Sequence, residues 1–173
     1  MKLKKVLKDG IKAIIIAFLI ALIFTTITNP TLVKGTSMLP TIYENDYIMI
    51  NKVAYLGEDP EHEDIIVFKS DMVDDTGKVR NLVKRVIGVP GDIIEITKGN
   101  VYRNGKKIIE EYINGETNGV LKITIADNKY FVLGDNRENS LDSRSKAVGL
   151  VEKEKIKGKL FLRFYPLDRI KFF

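Results

Sequence analysis

The sequence contains no cysteine and only one histidine among its 173 residues. Without cysteine there can be no disulfide, no thiolate zinc site and no cysteine nucleophile. That absence suits the exported domain of a cell that does not staple its secreted proteins. The one histidine, His62, lies in the polar run Glu58-Asp59-Pro60-Glu61-His62-Glu63-Asp64, so a Ser-His-Asp triad would rest on a residue that reads as solvent-exposed. Repeats and low-complexity tracts are also missing. A chain of this length with 45% hydrophobic residues can bury one main core, with room for a small insertion. The acidic group Asp71, Asp74 and Asp75 reads as a solvated loop rather than a metal site.

Long apolar runs are limited to one. From Ile11 to Thr28 the chain is apolar apart from Lys12 and the threonines at 25, 26 and 28, a length of about 18 residues, enough to cross a hydrocarbon core of about 30 Å. A cleaved secretory signal would end in a small-x-small pattern. This run instead exits through Thr25-Thr26-Ile27-Thr28-Asn29-Pro30, which favours a retained anchor. The net charge of +5 has the same origin, because Lys2, Lys4, Lys5, Lys8 and Lys12 crowd the start of the chain. The excess is topological and gives no reason to invoke nucleic acid. By the positive-inside rule, residues 1–10 are expected in the cytoplasm, 11–28 in the membrane and 29–173 outside.

Beyond Pro30 the pattern turns mainly β. Short Val-, Ile-, Tyr- and Phe-rich segments alternate with Gly, Asn, Asp and Pro at Tyr47 to Ile50, Ile65 to Phe68, Leu82 to Ile87, Ile93 to Ile96, Lys122 to Ile125, Tyr130 to Leu133 and Lys159 to Phe164. Asn104-Gly105 between Val101-Tyr102-Arg103 and Lys106-Lys107-Ile108 is a strong hairpin signal. It falls in a polar, glycine-rich stretch, about 97–127, expected to be a small β insertion.

With no cysteine and no well-placed histidine, a nucleophile could instead be activated by a lysine, provided that it is desolvated so that its neutral amine is populated. Lys84 fits. In the run from Leu82 to Ile87, strand alternation places Leu82, Lys84 and Val86 on one face. Standing alone it would be read as an edge-strand lysine that blocks aggregation. Two further blocks accompany it. Val33-Lys34-Gly35-Thr36-Ser37-Met38-Leu39-Pro40-Thr41 offers a serine between Gly35 and Pro40, an ordinary turn if taken by itself. Gly134-Asp135-Asn136-Arg137-Glu138-Asn139-Ser140-Leu141-Asp142-Ser143-Arg144 crowds charges, amides and serines into one loop, costly to bury unless they pair, as Asp142 and Arg144 can.

Together, and in this order, these blocks resemble the type I signal peptidases of bacteria in their lysine-dependent form. The resemblance runs from Asn29 to Pro166, through Ser37-Met38-x-Pro40-Thr41, Asp46-Tyr47-Ile48, Lys52, Asp64-Ile65-Ile66-Val67-Phe68, Val83-Lys84-Arg85-Val86-Ile87-Gly88-x-Pro90-Gly91-Asp92 and the Gly134–Arg144 loop. It implies Ser37 as the acylating nucleophile, Lys84 as general base, and Ser140 as the hydroxyl that orients the Lys84 amine. Asp142 with Arg144, and Asp135, would brace the loop. The Ser37 backbone N–H would donate to the oxyanion. Relatives with serine two places before the nucleophile use its hydroxyl as a second donor; that place is Gly35 here, and Gly35→Ser is expected to preserve or modestly raise kcat. A second departure is Glu63, where the family usually carries glycine.

The implied fold is a mainly β catalytic domain of bent antiparallel sheets with a small β insertion, preceded by one transmembrane helix. The implied partners are signal peptides of exported preproteins, cut after small-x-small, the lipid bilayer, and export machinery nearby, in a cell of the Gram-positive type. Met38, Ile42, Leu82 and Val83 are the candidate lining of the shallow substrate pockets. No cofactor or metal is called for. Two other readings are a self-cleaving Ser-Lys protease like the LexA-like repressors, which carry a DNA-binding domain and lack an anchor, and an inactive membrane-anchored binding module. The second has no support while Ser37, Lys84 and Ser140 are all present.

Overall fold

The computed structural model describes residues 2–173; the side chains of Lys2, Lys4, Lys5 and Lys8, on which the expectation of a basic amino terminus rests, lie outside the described residues. The chain opens with helix α1 (Lys2–Ile27). Its stretch from Asp9 to Ile27 has a mean hydropathy of 2.5 and buries nothing against the rest of the protein, so it is long and apolar enough to cross a membrane. Threonines sit in this run without orphaned hydroxyls. Thr25, Thr26 and Thr28 donate to the carbonyls of Leu22, Ile23 and Phe24, the back-bonding that lets a polar side chain live in an apolar helix.

Strands make up most of the remainder: β1 (Thr28–Leu32), β2 (Tyr47–Asn51), β3 (Ile65–Val73), β4 (Val79–Gly88), β5 (Ile93–Thr97), β6 (Asn100–Arg103), β7 (Lys106–Lys107), β8 (Leu121–Thr124), β9 (Lys129–Leu133), β10 (Val151–Glu152), β11 (Ile156–Tyr165) and β12 (Lys171–Phe172). The larger sheet has the order β1-β2-β11-β3-β4-β9-β10, with β12 also paired to β11, and its named neighbours run antiparallel. Register shifts in β11, β3 and β4 bend it. The smaller sheet has the order β7-β6-β5-β8, and Asn104-Gly105 turns β6 into β7. It takes in β5, ahead of the expected insertion boundary, because Ile94 and Ile96 share a core with Val101.

Three apolar clusters hold these layers. Ile87, Phe131 and Leu133 from β4 and β9 join Ile94, Ile96, Val101 and Ile125, so the small sheet is seated on the large one. Ile66, Phe68, Val86, Tyr130, Val132 and Val151 form the second cluster. The third, Val33, Met38, Ile42, Ile48, Ile65 and Leu160, lies under the turn that carries Ser37. Of the acidic group, Asp74 accepts the N–H groups of Thr76 and Lys78 within its own turn, and Asp71 pairs with Lys155.

Candidate active site

Lys84 is on β4 between β3 and β9, paired to Ile66 on one side. On the other side Arg85 faces Leu133, the last residue of β9, so the loop beginning at Gly134 emerges beside Lys84. Ser37 reaches the same place from the turn between β1 and β2. Met38 and Ile42 anchor that turn in the core, and the Ile42 N–H closes it on the Met38 carbonyl. The Lys84 Nζ is 2.6 Å from Ser37 Oγ and 2.9 Å from the Val83 carbonyl oxygen.

Only 2% of Lys84 is exposed. Burial, the largest influence, lowers its pKa to about 8; Asp142 and Asp135 oppose the drop, and Arg80 adds to it. An amine at that value is about half neutral at pH 8, against about 0.4% for an ordinary lysine. The arrangement is a hydroxyl held against an amine that exchanges its proton near physiological pH.

The loop from Gly134 to Arg144 grips the Ser37 turn. The Asn136 N–H donates to the Ser37 carbonyl at 3.1 Å, Asn136 Nδ2 to the Thr36 carbonyl at 3.0 Å, and Asn139 Nδ2 to Thr36 Oγ1 at 3.0 Å. Asp142, with no exposed surface, accepts from Arg144 Nε at 2.8 Å and Nη2 at 2.9 Å and from the Gly134 N–H at 3.1 Å. Asp135, equally buried, takes two hydrogen bonds from Arg85, at 2.9 Å and 2.6 Å, and one from the Thr41 hydroxyl. One acidic residue therefore ties the loop to itself, and the other ties it to the lysine strand and to the nucleophile's turn.

Several expectations meet a different geometry. Ser140 does not bond to the Lys84 amine; its Oγ is buried without a hydrogen-bond partner among the described residues, packed against Gly134, while the amine turns to the Val83 carbonyl. Gly35 adopts φ +89°, and its N–H donates to Glu44 Oε1 at 3.0 Å. A serine at position 35 would be strained in that conformation, which removes the gain expected of Gly35→Ser. Ile42 has no exposed surface and Met38 only 2%, so both lie in the core beneath the Ser37 turn rather than forming an exposed lining. Val83 packs against that core, whereas Leu82 belongs to the cluster around Phe68 and Val132. His62, by contrast, is exposed as its polar surroundings predict, and it pairs with Asp92 at 2.7 Å, bracing the turn after β4.

Sequence reasoning passed over the residues behind the loop. Arg137 is 1% exposed, and its guanidinium bonds Glu110 and Thr117. Tyr112 lies 3.8 Å beneath the Arg85 guanidinium. The signal was faint, an acidic and an aromatic residue in a stretch read as a polar insertion. Asp46 opens the Asp46-Tyr47-Ile48 segment, whose sequence alone assigns it no role. Fully buried, it holds the far end of the Ser37 turn through the Tyr43 N–H, Arg163 at 3.2 Å and Arg169 at 3.1 Å.

A family model described as "Signal peptidase, peptidase S26" matches residues 7–165. Among similar proteins, signal peptidase I P of Bacillus subtilis subsp. natto is 39% identical over 175 residues, covering 94% of this chain and 91% of the relative. Signal peptidase I S of Bacillus subtilis is 37% identical over 182 residues, covering 97% and 94%. The crystal structure of a signal peptidase I from Enterococcus faecalis superposes with a TM-score of 0.50 at 30% identity, over 60% of this chain and 97% of that one.

Proposed function

Because the chain belongs to the signal peptidase family, peptidase S26, a family of serine peptidases that removes signal peptides, we propose that it performs this cleavage with Ser37 as nucleophile and Lys84 as general base. The observation that carries the reading is the 2.6 Å approach of the buried Lys84 amine to Ser37 Oγ. Neutral Lys84 takes the hydroxyl proton as Oγ attacks the scissile carbonyl carbon, and the ammonium then hands that proton to the departing amine of the mature protein. The signal peptide is left as an ester on Ser37. Water attacks the ester, again giving its proton to Lys84, and the peptide leaves with a free carboxylate as Oγ recovers a proton. The Ser37 N–H is assigned to the developing oxyanion.

Asp135, Asp142 and Arg144 fix the loop that faces the dyad, and Ser140 fills the space beside it. Substrates are preproteins with small-x-small before the cut, since a floor already filled by Met38 and Ile42 leaves room only for short side chains. Helix α1 anchors the chain with its lysine-rich end in the cytoplasm and the catalytic part at the outer face, beside the export machinery. Sharing a two-dimensional phase raises the effective concentration of enzyme and tethered substrate.

The test is incubation of the detergent-solubilised chain with a radiolabelled preprotein. A mature-sized product from the wild type, absent with Ser37→Ala, is expected; cleavage undiminished in Ser37→Ala would overturn the assignment.

A further inference from the structure

Two arginines stand behind the candidate site, and one short segment touches both. Arg137 donates to Glu110 Oε2 at 2.8 Å and to its other oxygen Oε1, to Thr117 Oγ1 at 2.6 Å and to the Gly134 carbonyl at 3.1 Å. Its side chain has no exposed surface, and that of Glu110 only 4%. The Tyr112 hydroxyl donates to Glu110 Oε1 at 2.8 Å, while its ring stacks on Arg85. The same segment joins the loop through its backbone: Asn114 N–H donates to the Asp135 carbonyl at 2.8 Å, and Arg137 N–H to the Asn114 carbonyl at 2.9 Å.

These contacts lead inward. The Arg137 carbonyl accepts from Arg144, whose guanidinium holds Asp142, and Asp142 holds the N–H of Gly134 against the Ser37 turn. Arg85 holds Asp135, which holds Thr41, four residues beyond Ser37. We propose that Glu110 and Tyr112 are positioning residues, which set the placement of Ser37 and Lys84 through Arg137 and Arg85. Neither is hydrogen-bonded to Ser37 or Lys84, and a residue that acts by placing the reacting groups is expected to show its effect in kcat. A buried Arg137 without its carboxylate partner would seek water and draw the loop with it.

The inference rests on the Ser37–Lys84 reading, and its test separates the two. Full-length protein in detergent is assayed for preprotein cleavage alongside Ser37→Ala, with Glu111→Gln, an exposed neighbour, as the matched control. Glu110→Gln, which keeps shape and loses charge, and Tyr112→Leu, which loses the stack, are each expected to lower kcat by about 10-fold or more with KM within about 3-fold. Tyr112→Phe keeps the ring over Arg85 and should retain at least about a third of wild-type kcat. If Glu110→Gln does not fold, Tyr112→Leu with its Phe counterpart decides. A wild type that cleaves and a Ser37→Ala that does not, together with wild-type kcat in folded Glu110→Gln or Tyr112→Leu, would overturn the inference alone. A wild type that fails to cleave would overturn the reading beneath it.

Discussion

The α-carbon of Gly134 faces the carbonyl oxygen of Ser37 so closely that a β-carbon at position 134 would collide with that oxygen and with Ser140 Oγ. One of the obstructing atoms is backbone, which cannot swing aside. The loop and the nucleophile's turn are therefore in contact through the one residue type that permits it.

Gly134→Ala should lower kcat/KM by about 100-fold or more, about 2.7 kcal/mol of transition-state stabilisation. Steady-state kinetics on a preprotein checks this, with circular dichroism to show that the fold persists. Activity within about 3-fold of wild type would mean that the two segments part at little cost.

Lys84→Met should fold and fail to cleave, and Lys84→Arg should be equally inactive, because guanidinium stays protonated at any working pH. His62→Ala, whose imidazole pairs with Asp92 and not with Ser37, should cleave at close to the wild-type rate. The acid limb of the wild-type kcat/KM profile should have its midpoint near the Lys84 pKa of about 8, rising as the amine loses its proton. Substantial cleavage by Lys84→Arg would remove lysine from the base role.

Burial of Lys84 also has a signature in stability. Its folded pKa of about 8 lies below the ordinary lysine value, so between the two the unfolded chain binds more protons, and stability rises with pH across that window. Below about pH 8 the ammonium is buried in the folded state at full cost. Lys84→Met should therefore have a higher thermal midpoint than wild type at pH 7, an advantage that shrinks as pH is raised towards 10. Parallel melting curves at several pH values test the sign.

Glu63 holds φ +71° just before β3, a conformation that costs a non-glycine residue about 1–2 kcal/mol, partly offset by the extra freedom glycine has when unfolded. Glu63→Gly should raise stability by about 0.5–1 kcal/mol, read from a denaturant midpoint.

Asp46→Ala would leave Arg163, 7% exposed, without its buried partner. The expected loss is about 3–5 kcal/mol. A denaturant series should show it, and a loss below about 1 kcal/mol would mean that Arg163 and Arg169 find water instead.

What the sequence made legible follows from how each feature is encoded. Helix α1 carries one contiguous apolar run, and β4 and β9 contain dense apolar stretches, so local pattern sufficed. Ser37, Lys84 and the Gly134–Arg144 loop, which the fold brings together, stand out in the sequence through motif order. Strand β1 was missed, because Thr28-Asn29-Pro30-Thr31-Leu32 has little alternation and carries a proline, tolerated where the strand lies at the sheet's edge. The role of Arg137 is hidden in the sequence because an arginine in a polar loop reads as surface, and its carboxylate partner lies 27 residues away. Nor can spacing reveal that Gly35 is in the left-handed region or that Ile42 lies beneath the site.

The core shared by the two sheets has a consequence for how the chain tolerates changes in length. Ile87, Phe131 and Leu133 are covered by residues of the small sheet, so removing that sheet would strip the lysine strand and its neighbour of one apolar face. The two sheets should melt as one cooperative unit, not as a body and an appendage. Added residues are most readily absorbed at the hairpin tip around Gly105, where nothing crowds the backbone. Between Glu110 and Thr117, by contrast, one extra residue would shift the carboxylate and hydroxyl that face Arg137, so a segment resembling a spare surface loop has its length fixed from within.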